Sequence, residues 1–132
     1  MIFHLLSATT GSSANVTNEG PAKYALDNNI DTKWHTQYGG TDIENCWINI
    51  HLNEAQKVSG LRYLPRQDGG INGTILKYEI WVSSDNGKTY TNVKSDEWNQ
   101  EKIWKIAEFD SQTVTDVKLV PLTSLPNNRY AS

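Results

Sequence analysis

One cysteine, Cys46, stands alone among the 132 residues, so no internal disulfide can form and an apolar core must hold the fold. Basic residues are also in short supply, since the net charge is −3 and the isoelectric point is about 5.5. Nucleic acids and anionic membranes select basic surfaces, so we expect neither a nucleic-acid partner nor membrane insertion. No apolar run is long enough to span a bilayer, and the apolar start from Met1 to Leu6 lacks the basic residues of a secretory signal.

Catalytic motifs are missing as well. The sequence has no Gly-x-Ser-x-Gly elbow, no His-Glu-x-x-His zinc motif and no cysteine–histidine pair of the kind that activates a nucleophile. Its acidic residues are scattered over turns and charged faces, which argues against the paired carboxylates of a glycosidase. Cys46 precedes a run of apolar residues, as a small core residue does. We therefore expect a protein that is not an enzyme.

What the sequence does contain is a series of short alternating or apolar runs separated by turn residues. In the run 48–52, three aliphatic residues alternate with Asn49 and His51, which is the period of a strand with one buried face. The segment from Pro21 to Leu26 is the single helical candidate, of one or two turns. Strands separated by turns predict one domain, residues 1–132, with an all-β antiparallel sandwich or jelly-roll fold. The runs are 46–52, 58–64, 75–83, 103–109 and 114–122.

An oxygen-rich stretch runs from Asp27 to Thr32 and reads DNNIDT. Calcium prefers clustered carboxylate, amide and carbonyl oxygens, so this loop is a candidate calcium site. It is not an EF-hand, because the twelve-residue spacing and the final Glu are missing. Asp and Asn also form self-capping Asx-turns without any metal, and the residues alone leave both readings open.

Two further segments carry groups suited to a hydroxyl-rich ligand. His35 lies in a polar loop beside aromatic residues, where its ring could meet sugar hydroxyls or serve as a structural histidine. Arg66 and Asn72 lie in the glycine-rich loop that follows a predicted strand, and they offer a rigid fork of donors and an amide. The alternative for Arg66 is a surface ion pair with Asp68.

The aromatic residues divide by their position in these patterns. We expect Trp34 to anchor a loop, and we expect Tyr38 and Tyr130, in loop-like segments, to be exposed platforms. Those inside strand patterns are expected to pack within the fold, and they are Trp47, Tyr78 and Trp81.

Taken in order, these segments resemble the discoidin-like family, also called coagulation factor 5/8 type C domains. The similarity is greatest to its bacterial branch, the family 32 carbohydrate-binding modules attached to secreted glycoside hydrolases. Each piece is short, but the ordered set covers nearly the whole chain. The pieces are GPAKYALD at 20–27, DTKWHT at 31–36, WINIHL at 47–52, LRYLPRQD at 61–68, YEI at 78–80, SSDNG at 83–87 and YAS at 130–132.

The resemblance implies a β-sandwich whose ligand loops lie at one end and bind galactose or N-acetylgalactosamine. A His, an Arg and an Asn of the family contact the sugar at the positions of His35, Arg66 and Asn72. An aromatic residue that stacks on the sugar matches Tyr130, while Tyr38 and Glu19 match a more variable pair of contacts.

The resemblance also implies a structural calcium ion. The matching ligands are the side chains of Asp27 and Thr32, with Tyr24 and Asn29 contributing mainly backbone carbonyls. The chain departs from the family in having Asn28 where a glycine is usual, and in stopping before the final strand and its calcium-binding Glu. We interpret this as a truncated module, or as one in which residues 1–6 fill part of that strand's place.

The expected function is therefore non-catalytic binding of terminal galactose or N-acetylgalactosamine. Galactose suits such a site because its axial O4 meets polar groups converging from one side, while its opposite face offers an apolar C–H patch to an aromatic ring. We expect a monomer that is secreted or on the surface of a bacterium and that targets an attached glycoside hydrolase to glycans. The alternatives are a discoidin-type adhesion domain for proteins or lipids, and a purely structural accessory domain.

Overall fold

A computed structural model describes residues 2–3, 8–13, 20–37 and 42–132. Six strands and two short 3-10 helices make up its regular structure. The strands are β1 (Ile2–Phe3), β2 (Ala8–Ser13), β3 (Ile48–Tyr63), β4 (Lys77–Ser83), β5 (Thr91–Glu97) and β6 (Lys105–Pro121), and the 3-10 helices are Ala22–Ala25 and Ile43–Asn45. Within these ranges, no helix has the length and apolar character needed to cross a membrane.

All the strand pairings are antiparallel, in the order β1-β3-β6-β4-β5, with β2 also paired to β3. The two long strands, β3 and β6, each contribute residues to both layers of the sandwich. The first half of β3 pairs with β2 and its last residues pair with β1, and the register between β3 and β6 shifts between His51 and Gln56. The end of β6 pairs with β4, which carries β5. This arrangement confirms the expected antiparallel β-sandwich.

The core lies where the alternating patterns place it. Ile48, Ile50 and Leu52 are at most 1% exposed, whereas His51 on the opposite face is half-buried. On β4, Tyr78, Ile80 and Val82 are likewise buried. Because successive side chains of a strand point to opposite faces, this burial follows directly from the sequence period.

An aromatic stack closes the core below the loops that follow β3 and β5. The ring of Trp98 lies 3.8 Å from that of Tyr78 and 5.0 Å from that of Tyr63, between ring centroids, and both pairs are stacked. The Trp98 indole also donates a 2.9 Å hydrogen bond to the Ile106 carbonyl. This stack is the floor on which the loops at one end of the sandwich are built.

Several element boundaries differ from the sequence-based expectation. Four of the five predicted runs fall into the two long strands, and the run 75–83 is shortened to β4 because Ile75 makes an isolated bridge to Ser124. The strand β5 was not predicted, since its residues alternate weakly and are largely exposed. The helical candidate at 21–26 forms a single 3-10 turn.

Tyr78 packs in the core as expected, whereas the two tryptophans of the strand patterns do not. Trp47 and Trp81 are half-buried on the outer face of the sheet rather than in the core. The Lys118 ammonium lies 4.2 Å from the centroid of the Trp47 ring, a cation–π contact that keeps the aliphatic stem of the lysine against the sheet.

Candidate functional site

Three loops at one end of the sandwich are joined by backbone hydrogen bonds. Thr36 N donates to the Ala131 carbonyl at 3.0 Å, and Ala131 N donates back to the Thr36 hydroxyl at 2.9 Å. Ser132 N donates to the Gly73 carbonyl at 3.0 Å. The segments around residues 35, 72 and 131 are thereby held side by side, although they are far apart in the sequence.

Tyr63 ties this loop assembly to the core. Its hydroxyl donates to the Ser132 carbonyl at 2.6 Å and accepts from Ile75 N at 3.1 Å. Burial raises the pKa of Tyr63, so the hydroxyl stays protonated and keeps its role as donor. One buried hydroxyl thus fixes both the end of the chain and the start of the segment that leads into β4.

His35 is fully buried, which fits the structural histidine that the sequence left open as an alternative rather than a ring at an exposed loop tip. It follows the buried Trp34, which anchors the loop as predicted, and its own N–H donates to the Gly20 carbonyl at 3.0 Å. A Cβ on Gly20 would lie 2.4 Å from the His35 nitrogen, so this close approach requires glycine. The imidazole ring lies 5.9 Å from the Tyr130 ring, between centroids, at an angle of 46°.

The protonation state of His35 follows from its surroundings. Burial lowers the pKa of His35, the charges of Arg66 and Lys33 lower it further, and the hydrogen bond to the Thr36 carbonyl opposes the shift. A carbonyl can only accept, so Nδ1 carries the hydrogen and donates to the Thr36 oxygen. In the neutral ring, Nε2 is then the acceptor nitrogen, which suits a hydroxyl donor.

Arg66 forms a bidentate ion pair with Asp68. Its Nε donates to Oδ1 and its Nη2 to Oδ2, both at 2.7 Å, while Nη1 lies 3.4 Å from the Asn72 carbonyl. Asp68 also accepts from Gly70 N at 3.1 Å and from Lys33 Nζ at 3.2 Å. These donors, above all Arg66, hold the pKa of Asp68 well below its usual range. The ion pair that the sequence offered as the alternative for Arg66 is therefore present.

Gly70 is part of the same arrangement. A Cβ at that position would lie 2.8 Å from the guanidinium carbon of Arg66, so the loop backbone packs directly on the planar group. Asp68 and Gly70 were not singled out as site residues from the sequence. An acid two residues after an arginine, followed by two glycines, was the signal that could have identified them.

The structure brings four of the six predicted sugar-binding residues to one place. Asn72 is exposed, and its carbonyl accepts from the Ser132 hydroxyl at 3.1 Å, next to the Arg66 fork. Tyr130 is half-buried beside His35, which corrects the expectation of an exposed platform. The other two predicted residues, Glu19 and Tyr38, lie outside the described residues.

The predicted calcium loop is closed on itself. Asp27 Oδ2 accepts from the Thr32 hydroxyl at 2.6 Å, and Oδ1 accepts from Asn29 N at 3.0 Å. The Thr32 hydroxyl also lies 3.0 Å from the Asn29 carbonyl oxygen. This is the Asx-turn alternative, with Asn28 at a φ of 56°. Tyr24 lies in the preceding 3-10 helix.

The types of oxygen atom in this loop still suit a calcium ion. The Thr32 hydroxyl oxygen lies 2.6 Å from a carboxylate oxygen of Asp27 and 3.0 Å from the carbonyl oxygen of Asn29. Neighbouring oxygens around a calcium ion have similar spacings, given calcium–oxygen distances of about 2.3 to 2.6 Å. In the described residues, however, no group of three or more His, Cys, Asp or Glu side chains is placed to hold a metal.

Comparison with known proteins identifies the class to which this fold and site belong. A model of the F5/8 type C domain matches residues 7–132, and the chain belongs to this family. Within it, the solved structures with high similarity are family 32 carbohydrate-binding modules. The expectation of a non-catalytic binding module on a β-sandwich is thereby confirmed.

Two of these structures contain a sugar. The Clostridium perfringens module CpGH89CBM32-5, in complex with GalNAc-β-1,3-galactose, is 35% identical, with a TM-score of 0.80 over 95% of this chain and 88% of that one. The family 32 module of NanJ from the same organism, in complex with galactose, is 30% identical, with a TM-score of 0.82 over 92% and 86% of the two chains.

Among characterised proteins, the relatives are much longer than this chain. A galactose oxidase of Gibberella zeae is 35% identical over 127 residues, which are 95% of this chain and 18% of that protein. An A type blood N-acetyl-α-D-galactosamine deacetylase of Flavonifractor plautii is 33% identical over 104 residues, 79% of this chain and 13% of that protein. The similarity is thus to one module of each larger protein.

Proposed function

We propose that the chain binds terminal galactose or N-acetylgalactosamine at the loop end of the sandwich. The observation that carries this proposal is the convergence of His35, Arg66, Asn72 and Tyr130, which three hydrogen-bonded loops hold together. Similar modules in complex with galactose and with GalNAc-β-1,3-galactose support the choice of sugar.

Each of these groups suits one feature of the sugar. The acceptor nitrogen of His35 takes a hydrogen bond from a sugar hydroxyl, and the Arg66 fork and the Asn72 amide offer donors to the others. Because His35 is buried, the sugar reaches its ring only after a neighbouring group moves. We propose that this group is Tyr130, half-buried and 5.9 Å away, and that its ring then covers the apolar face of the sugar.

A shallow site with three or four polar contacts binds weakly. We expect a dissociation constant on the order of 0.1 to 1 mM for the free monosaccharide. Presentation of several modules or several glycans together raises the apparent affinity.

Calorimetry of single variants tests this function. We expect His35→Ala, Arg66→Ala and Asn72→Ala each to lose about 1 to 3 kcal/mol of galactose binding, because their partners on the sugar stay unpaired. From a sub-millimolar start, this removes measurable binding. Lys57→Ala, at an exposed position outside the loops, is the matched control and should bind like the parent.

The outcomes test the location of the binding site separately from its preference for galactose over glucose. A melting curve accompanies each variant, and His35→Gln is added because His35 is buried. If folded variants bind galactose as the parent does, the sugar binds elsewhere. If the parent binds glucose as tightly as galactose, the argument from the axial hydroxyl is wrong even though the site stands.

We propose in addition that a calcium ion occupies the loop from Asp27 to Thr32, held by the Asp27 and Thr32 side chains and by the backbone carbonyls of Tyr24 and Asn29. The ion would cross-link the loop next to the segment that carries His35. We expect calcium to raise the melting temperature of the parent and a chelator to reverse this, while Asp27→Asn removes the response. Equal melting of the parent with calcium and with chelator contradicts the proposal.

For the whole protein, we propose that this module is monomeric and directs an attached, secreted bacterial glycoside hydrolase to its glycan. The much longer relatives support the attachment to an enzyme. Sedimentation of the isolated module with and without galactose tests the monomer, and a mass twice that of the chain would contradict it.

A further inference from the structure

A second cleft opens at the same end of the sandwich, between the second 3-10 helix and the last loop. Its volume is about 500 Å³, within the range of small-ligand sites. The residues that line it are Asp42, Ile43, Glu44, Asn127, Asn128 and Arg129. The proposed galactose site does not use any of these side chains.

The two walls of this cleft are held in place by buried groups. Ile43, which is 6% exposed, contributes an apolar floor. The thiol of Cys46 is fully buried and lies 3.9 Å from the Asp42 carbonyl oxygen and 4.0 Å from that of Arg129, so it touches both walls. The cleft is therefore a formed feature of the fold rather than a gap between loose loops.

The cleft also has a fixed position relative to the proposed galactose site. Ser124 N donates to the Asn128 side chain at 2.9 Å, and the Ser124 hydroxyl donates to the Tyr130 carbonyl. Asn128 N donates back to the Ser124 carbonyl at 3.0 Å. One residue thus holds both a wall of the cleft and the aromatic residue proposed to cover the galactose, and Arg129 connects the two.

The chemistry of the lining suits a sugar residue. Carboxylate and amide groups on an apolar floor can exchange hydrogen bonds with ring hydroxyls or an acetamido group. The Asp42 side chain makes no capping hydrogen bond to its 3-10 helix. Two acids against one arginine make the lining net negative, which disfavours sulfate, uronate or sialate groups.

We propose that this cleft binds the second sugar residue of a glycan whose terminal galactose or N-acetylgalactosamine occupies the His35 site, and that it selects a neutral hexose or hexosamine there. This inference rests on the proposed function. It adds a specificity for the penultimate sugar, which the terminal-sugar site cannot supply.

Titration calorimetry with two ligands tests the inference, namely methyl β-galactoside and neutral disaccharides with a terminal galactose. We expect the parent to bind at least one disaccharide about three- to tenfold more tightly than the methyl glycoside, from one or two added hydrogen bonds. The double variant Glu44→Ala, Asn127→Ala should lose this gain and keep the affinity for methyl β-galactoside. Glu54→Gln, an exposed acid at the bend of β3, is the matched control.

A second variant gives a gain that misfolding cannot produce. Asp42→Asn with Glu44→Gln should bind a disaccharide sulfated on its second residue more tightly than the parent does, by about two- to fivefold. If the parent binds the methyl glycoside and every disaccharide equally, this inference is overturned while the proposed function stands. If Glu44→Ala, Asn127→Ala weakens both ligands alike, the cleft is structural and the inference is overturned. Absence of any galactose binding by the parent overturns the proposed function first, and this inference with it.

Discussion

At the scale of single residues, Asp68 does more for Arg66 than it does for the fold. Its side chain is 43% exposed, and an ion pair in such a setting contributes at most about 1 kcal/mol to stability. The bidentate geometry, however, fixes the plane of the guanidinium before any ligand arrives. A preorganised fork loses less conformational entropy on binding than a mobile one does.

We therefore predict that Asp68→Asn weakens galactose binding about three- to tenfold without a comparable loss of stability, because Arg66 loses its orienting partner. Calorimetry with galactose and a urea titration of the same variant measure the two effects. Asp110→Asn, an exposed acid at the middle of β6, is the control and should change neither. An affinity equal to that of the parent would show that Arg66 needs no such support.

His35 gives a prediction on pH. Burial is the main reason why the pKa of His35 is lowered in the folded state. Below the usual pKa near 6.5, His35 therefore takes up a proton in the unfolded chain but stays neutral in the folded chain. The stability that His35 contributes is complete above that pH and falls as the pH drops towards the folded-state pKa. The slope in this window is at most about 1.4 kcal/mol per pH unit for one proton.

Urea unfolding of the parent and of His35→Gln measures this slope between about pH 8 and about pH 4, limits that lie about 1.5 units above and about 2.5 units below the usual pKa of histidine. We expect the parent to lose stability below about pH 6.5 more steeply than the variant. Parallel curves for the two proteins would show that His35 titrates as freely in the fold as in the unfolded chain.

At the scale of elements, the loop between β3 and β4 depends on two glycines at positive φ, each for a different reason. Gly69 has a φ of 89°, and a Cβ there would meet only open space, so its requirement for glycine is purely conformational. Gly73 has a φ of 94°, and a Cβ there would lie 2.7 Å from the nitrogen of Ser132. Gly73 therefore also permits the contact that holds the segment carrying Tyr130.

Because only one of these glycines makes a close contact, their alanine variants form a matched pair. Gly69→Ala and Gly73→Ala should each cost about 1 to 2 kcal/mol of stability for the backbone conformation. Gly73→Ala should cost more, and it should also weaken galactose binding, since residues 131 and 132 must move away. Thermal melting and calorimetry of the two variants check this. Equal losses of binding in both variants would mean that the contact with Ser132 does not position the site.

The elements show which part of the fold the sequence can predict. The run 48–52 and the inward residues of β4 were predictable because one face is buried and the period of two is clear. The strand β5 was not, since an exposed edge strand of polar residues carries no such period. Polar, turn-type residues such as Asn53 and Asp110 interrupt the apolar pattern where β3 and β6 bend, so each long strand reads as two separate runs and its continuity was hidden.

For the candidate site, the residues could be predicted from the sequence, whereas their contacts could not. His35, Arg66, Asn72 and Tyr130 could be singled out because their residue types and order resemble a known family, and the structure places them together. The burial of His35 and the ion pair that orients Arg66 depend on tertiary packing. Residue types and spacing cannot report such contacts.

At the scale of the whole molecule, the hydroxyl of Tyr63 connects the sandwich core to the site. We predict that Tyr63→Phe lowers stability by about 1 to 3 kcal/mol, because it leaves the buried Ile75 N–H and the Ser132 carbonyl without this partner. It should also weaken galactose binding, because the segment 130–132, which carries Tyr130, loses its hydrogen bond to the core.

Tyr78→Phe is the control for this variant. Tyr78 belongs to the same aromatic stack, and within the described part of the chain its hydroxyl has no hydrogen bond of this kind. Urea unfolding and calorimetry should find Tyr78→Phe close to the parent. A Tyr63→Phe variant as stable as Tyr78→Phe would contradict the link between core and site.

The hydrogen bonds between Thr36 and Ala131 span 95 positions of the chain, and they set an order in time. During synthesis, the strands from β3 to β6 emerge ahead of residue 131, so they can begin to pair before these hydrogen bonds form. Contacts between such distant positions form late in folding. The loop end is therefore the last of these parts to assemble, and it forms on strands that have already begun to pair.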